Sequence, residues 1–500
     1  MSYLEQLKKE ASYCRTMNGA LAYSTTGDAC LDFFAVAGGM RYRKPADQIA
    51  LFERAYIETP DLAMKLLFHL RDIRGGMGER QLFRTLMQHV AKTWPQSAIR
   101  NVAYIAEFGR WDDLLCLLNT PAQKEVIQVI REQLDKDLKA LERREQGEVS
   151  APISLLAKWL PSANTSSHRT RKVAAKLIRL LGMREREYRE TLTKLRRNIG
   201  LTERYLTNQH ADKICYEAVP GRAMLKYREA FARQDAWRFG EYLAQVKAGK
   251  KSMHADTLFP YEILRPFFTD DDWYVDREEV KGIETLEALW NSLSAETGNQ
   301  NALSVIDTSG SMYWTRAPKP ALISQAMGLY CAERCKGLFH NVFLTFESTP
   351  HLMEIHGETL QDKLRYIQNA PVGGSTNLEA VFDLILRTAV SSGAKQEEMP
   401  DVLYIFSDME FNVAVSNPNE TVYENAARKF REAGYQLPAV VFHNVNSWQM
   451  QAPVRAHTRG AALTSGASVS SLKEKFDGNV TPMSHMLRVL NSKRYEAIRA

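Results

Sequence analysis

Three short segments in the C-terminal part of the chain put hydroxyls and carboxylates where apolar runs end. They are Asp307-Thr308-Ser309-Gly310-Ser311 after ALSVI, a D-x-S-x-S pattern; Thr376 in PVGGSTNLEA; and Asp408 closing DVLYIFSD. Such groups are hard oxygen donors of the kind Mg²⁺ takes. DTSGS alone also reads as a turn with a capping Asp or Ser. A serine near an acid raises hydrolysis as well, but DTSGSM is not the G-x-S-x-G elbow and no histidine falls where a triad needs one. His443 follows an expected strand and could approach the site edge, although a structural or solvent-facing place is the simpler expectation. Gly373-Gly374 lacks the lysine of a phosphate-transfer loop. The residues point to binding and not to an enzyme.

These segments need a scaffold. After residue 300 the chain alternates strand-like runs (ALSVIDTS, VFLTFE, HLMEI, DVLYIFSD, LPAVVFHNV, AALTS) with helical stretches such as PALISQAMGLYCAERC and NLEAVFDLILRTAV. This grammar predicts an α/β doubly wound sheet whose ligand site lies beyond the carboxyl ends of its strands. Residues 45–290 show apolar positions at three- and four-residue steps, as in DLAMKLLFHLRDI, with Asp61 an expected N-cap and Gly75-Gly76 a break before a helix starting near Glu79. Helix pairs of this sort stack as an α-solenoid of HEAT type. The expected domains are 1–290, helical, and 291–500, α/β.

The chain has 500 residues, of which 25% are charged and 45% hydrophobic, with a net charge of +6, values of a multidomain globular protein. That small sum hides an asymmetry. Residues 291–500 hold 19 Lys and Arg against 20 Asp and Glu, whereas residues 151–251 hold 22 against 9. A concentrated cationic patch calls for a polyanion, and nucleic acid is the common one. The candidate contacts are His168, Arg169, Arg171, Lys172, Lys176, Arg179, Arg196 and Arg197, with Tyr188, Tyr205 and Tyr216 interleaved as groups able to stack on unpaired bases. A charged outer face of a solenoid is the plainer reading. The six scattered cysteines contain no CxxC and are expected to be reduced thiols. No apolar run is long enough to span a bilayer and the start lacks a signal-like core, so no membrane contact and a cytoplasmic place are expected.

VIDTSGSM, Thr376 and IFSD, in this order, resemble the metal-ion-dependent adhesion site of von Willebrand factor A domains. The resemblance implies that Ser309, Ser311 and Thr376 ligate Mg²⁺ or Mn²⁺ directly or nearly so, with Asp307 and Asp408 binding directly or through water. A helical solenoid followed by such a domain resembles the Ro autoantigen family, whose helical part is the TROVE module. LRDIRGGMGERQLFR and the G-R-W-D-D-L-L run at Gly109 to Leu115 are similar to that family's wording, and AKWLPS and YEAVPGRAMLKYREAF fit an uncharacterised bacterial branch with the same layout.

This resemblance implies a closed ring of helical repeats, bridged by the A domain and binding small noncoding or single-stranded RNA in a ribonucleoprotein, with exoribonucleases among the family's partners. A second expectation is a protein-interaction scaffold whose A domain clasps an acidic partner residue through the metal, with a chaperone-like ATPase as a candidate partner and Trp314 at the site rim.

Overall fold

The computed structural model describes residues 3–500 except 150, 270, 271, 273, 277, 279, 295–299, 315–317, 413–416 and 418. Near its start, β1 (Tyr13–Arg15) and β2 (Leu21–Tyr23) pair as an antiparallel hairpin. The main sheet comprises β3 (Ala302–Asp307), β4 (Val342–Phe346), β5 (His351–Glu354), β6 (Val402–Ser407), β7 (Ala439–Asn444) and β8 (Ala461–Ser465), at the six places expected. Its order is β5-β4-β3-β6-β7-β8, parallel throughout except for β5. The runs ALSVID, VLYIFS, AVVFHN and AALTS are buried at every position, as strands covered on both faces must be. The chain leaves β3 toward β4 and later returns to β3's other side as β6. The crevice beyond these carboxyl ends is the topological switch point of a doubly wound sheet.

Alternate residues along the strands feed two separate cores. Leu303, Val305, Leu403, Ile405, Val440 and Phe442 join a core that extends through the helices of residues 29–195. Ala302, Ile306, Tyr404, Phe406 and Val441 face the other way and join a core with residues 206–293. The expected helical domain is therefore two half-arcs, one for each side of the sheet. Helix Ala29–Val36 rests on β8, and helix Pro260–Leu264 rests on helix Pro320–Arg334. Their sheet-side ends also touch each other: the Arg41 guanidinium, just after helix Ala29–Val36, pairs with Glu79 at 2.6 Å and lies 5.6 Å from the ring centre of Tyr261 in helix Pro260–Leu264. Between them a chamber of about 670 Å³ is lined by Arg74, His254 and Lys473 among others.

Within the first half-arc, Thr59 precedes helix Pro60–Arg71, with Pro60 at its first position. Asp61, expected as the cap, instead sits in the first turn, where its carboxylate accepts the Ala500 N–H at 2.7 Å. The segments LRDIRGGMGERQLFR and GRWDDLL lock onto each other. Arg71 pairs with Asp113 at 2.8 Å, and Arg84 pairs with Asp113 at 2.6 Å and Asp112 at 2.9 Å. The approach is so close that a Cβ on Gly109 would lie 2.5 Å from the Asp113 carboxylate, and one on Gly76 would lie 2.0 Å from the His69 carbonyl oxygen. Further on, helix Gln123–Glu145 packs against both helix His168–Leu181 and helix Glu185–Asn198.

Candidate metal centre and basic face

The parallel register that sets Ile306 beside Phe406 carries the ends of β3 and β6 into one crevice. Asp307 ends β3, and its carboxylate accepts the Ser309 N–H at 2.9 Å and the Ser407 hydroxyl at 2.5 Å. The loop behind it pairs backbone to backbone with the Gly373 segment, the Gly310 N–H reaching the Gly373 carbonyl at 2.9 Å. That contact brings in Thr376, whose N–H bonds the Asn412 side chain at 3.2 Å. Asp408 follows β6 and accepts the Glu410 N–H at 3.2 Å through one oxygen. The five expected residues thus lie in three adjoining loops, and Asp307, Ser309, Thr376 and Asp408 are buried.

The donor set suits a hard divalent cation. The second carboxylate oxygen of Asp408 is buried without a hydrogen-bond partner, a costly state unless something cationic or protic meets it. The Ser309 and Ser311 hydroxyl oxygens are 3.2 Å apart, close to the edge of about 2.9 Å in an octahedron of Mg–O length. Burial, and next the charge of Asp307, push the Asp408 carboxyl up to about 7. Burial also raises Asp307 against the opposing bonds from Ser309 and Ser407. Among the described residues no group of three or more His, Cys, Asp or Glu is arranged for a metal, so a cation here would depend on the hydroxyls. His443 lies away from the opening: it is fully buried, with ring nitrogens 2.8 Å from the Thr464 hydroxyl and 2.8 Å from the Gly466 carbonyl, and burial lowers it to about 4.

Sequence reasoning missed the N-terminal side of this crevice. The Asn18 amide reaches the Thr376 hydroxyl at 3.4 Å and the Glu410 carbonyl at 2.6 Å. No local signal marks Asn18, because the contact joins positions 358 residues apart.

The basic segment divides into several roles. His168, Arg169, Arg171, Lys172 and Arg179 are exposed on helix His168–Leu181, and Arg197 is exposed on the following helix. Among the described residues Arg169, Lys172, Arg179 and Arg197 have no ion-pair partner. Arg171 donates to the Thr165 carbonyl at 3.4 Å, and Lys176 bonds the Asn119 side chain. Arg196 is turned inward, donating at 2.8 Å to the carbonyls of Ala157 and Leu160 and to the Ser162 hydroxyl. Arg189, Arg197 and Lys194 border a groove of about 750 Å³ between helix Glu185–Asn198 and the Ser162–Asn164 loop.

The expectation of interleaved stacking rings needs correction at Tyr188 and Tyr216, while Tyr205 is half-buried. Tyr188 is buried with its hydroxyl on the Pro161 carbonyl at 2.9 Å, and Tyr216 is buried against Phe231 and Tyr242 with its hydroxyl on Asp235. Helical apolar spacing places Tyr188 in the core with Leu192 and Leu195, whereas Tyr216 enters the other core from the short turn Tyr216–Ala218. Trp237, not singled out by the sequence, is 77% exposed on helix Ala236–Lys247.

Residues 16–132 and 123–301 match the model of a domain of unknown function, DUF2828. The chain belongs to the DUF2828 family. A second domain of unknown function, DUF7788, matches residues 301–494, so the junction between the two matches falls just before β3. This DUF2828 protein is 31% identical to uncharacterized protein L728 of Acanthamoeba polyphaga mimivirus, over 95% of its own length and 86% of the relative's. It is also similar to the crystal structure of the Deinococcus radiodurans Ro (RSR) protein, with a TM-score of 0.45 and 14% identity over 93% of this chain and 99% of that one. No helix among the described residues is long and apolar enough to cross a membrane.

Proposed function

We propose that this DUF2828 protein is a non-enzymatic RNA-binding protein, taking small noncoding or single-stranded RNA on the helices of residues 168–198 and a divalent cation, Mg²⁺ or Mn²⁺, at Asp307, Ser309, Ser311, Thr376 and Asp408. The observation that carries the RNA reading is the set of exposed cations without ion pairs, Arg169, Lys172, Arg179 and Arg197, on two packed helices, of which the second, with Arg197, borders the groove. Unpaired like charges repel unless a polyanion neutralises them, and phosphates release counterions when they do so. Arg196 and Lys176 are assigned to holding the fold. When bound, the cation would supply an electrophilic centre for an oxygen of a partner, and the protein's own groups hold the donor oxygens in place around it. Sequencing of RNA that co-purifies with the full chain tests the proposal. Enrichment of defined RNAs that is lost in an Arg169/Lys172/Arg179/Arg197→Glu variant is expected; equal recovery from both proteins contradicts it.

A second reading is favoured by the opening of the metal loops. Trp314 is 77% exposed there, with its ring nitrogen 3.5 Å from where a Gly310 side chain would begin, and Val372 is also exposed. An acidic side chain flanked by apolar residues would suit that rim, with the carboxylate meeting the cation. Protein capture that is lost with EDTA and with Asp307→Ala, in a protein that retains no RNA, would favour this reading.

A further inference from the structure

Two of the three metal loops are held by a segment from the opposite end of the chain. The turn joining β1 to β2, Thr16–Ala20, lies across the crevice. Its Thr16 hydroxyl donates to the Phe411 carbonyl at 2.6 Å and accepts the Ala20 N–H at 2.9 Å, which keeps the turn closed upon itself. Gly19 forms an antiparallel bridge with Asn412, whose own N–H bonds the Thr376 carbonyl.

Glu410 is the centre of the arrangement. Its carboxylate is buried, with one oxygen on the Met17 N–H at 2.8 Å and the other on the Gln451 amide at 2.7 Å. Its backbone N–H is the donor to Asp408, and its carbonyl accepts from Asn18. One turn therefore contacts the Thr376 hydroxyl through Asn18 and the Asp408 loop through Glu410.

From this geometry we infer that the Thr16–Ala20 turn is part of the metal centre. Asn18 is the positioning residue for the Thr376 hydroxyl and Glu410 the positioning residue for Asp408. An Asn18 amide donating to the Thr376 oxygen leaves that hydroxyl's remaining lone pair for a cation, and the Met17–Glu410–Asp408 series fixes the loop carrying the carboxylate. Outer partners of this sort orient the ligands they touch. Binding and docking are then reciprocally linked: whatever factor the docked turn adds to cation affinity, the cation returns to docking of the turn. The N-terminal hairpin, continuous with the helical arc, becomes the element through which the arc and the metal site sense each other. The inference rests on the metal reading proposed above.

The test uses the full chain and Mg²⁺ or Mn²⁺ alone. Calorimetric titration of Asn18→Ala should give an affinity lower by about 10–100-fold, the range for lost outer-shell partners. Thr16→Val, which keeps the side-chain shape but removes the bond to Phe411, should weaken binding in the same direction and serves if Asn18→Ala does not fold. Hydrogen exchange on the wild type supplies a readout without substitution: Mg²⁺ should slow exchange across residues 13–23, including the Met17 amide, and leave helix Ala236–Lys247 unchanged. Wild-type binding that neither variant weakens, with exchange over residues 13–23 indifferent to Mg²⁺, overturns the inference while leaving the metal site standing. A wild type that titrates like Asp408→Ala overturns both.

Discussion

At Asp408, one buried oxygen lacks a partner while burial and Asp307 hold the carboxyl protonated up to about 7. Cation binding must displace that proton, so affinity for Mg²⁺ should weaken about tenfold per pH unit below 7 and level off above it, with proton release visible as buffer-dependent calorimetric heats. The sign for folding is the opposite of an ordinary salt bridge. A carboxyl raised above its unfolded value of about 3.9 costs stability in full above pH 7, and the metal-free fold regains it progressively as the pH falls from about 7 toward about 3.9. Asp408→Asn should therefore abolish cation binding and stabilise the metal-free protein at pH 8 by on the order of 2 kcal/mol, seen as a higher thermal midpoint. The gathering of the five candidate residues in one crevice was legible in the sequence because oxygen-bearing residues follow apolar runs. The contacts of Asn18 and Glu410 with these loops were not, since they come from a hairpin docking across hundreds of residues. Charge counting likewise cannot separate Arg196 from Arg197. Loss of Arg196 strands three acceptors, so Arg196→Ala should cost about 2–4 kcal/mol in chemical denaturation, against less than about 0.5 for Arg197→Ala.

Among elements, the decisive contact is the clamp of the C-terminal segment on helix Pro60–Arg71. Asp72 is buried and accepts from Arg494 and from the Tyr495 hydroxyl at 2.9 Å, while His69 meets the same hydroxyl at 3.0 Å. Burial alone would raise Asp72, but Arg494, the Arg74 N–H and Tyr495 together hold it below the usual carboxylate range. The clamp's contribution is complete above about pH 4 and disappears as the pH falls through that depressed value. Asp72→Ala should cost about 3–5 kcal/mol near neutral pH and blunt the acid limb of the unfolding curve. The helices and the Gly75-Gly76 break were readable from spacing, and helix Arg80–Thr93 begins where expected, after Glu79. The ion pairs joining RDIRGG to GRWDD were not, because sequence shows that charges exist and not which ones meet.

Over the whole molecule, a sheet divides two helical half-arcs, and its near-neutral domain carries the candidate metal loops while the cations gather on the helices of residues 168–198. Composition disclosed that separation of charge, and alternating strands disclosed the sheet. The division of the helices into two cores came only from three-dimensional packing, since both halves share one helical periodicity. The most direct test of RNA binding on this face is the salt dependence of affinity. Binding of a short single-stranded RNA to the full chain, followed by fluorescence anisotropy from 50 to 200 mM KCl, should show log K falling against log salt with a slope of about −3 if roughly four phosphates are neutralised. The Arg169/Lys172/Arg179/Arg197→Glu variant should lose most of that slope. A flat dependence, or a slope the variant leaves unchanged, would contradict the account.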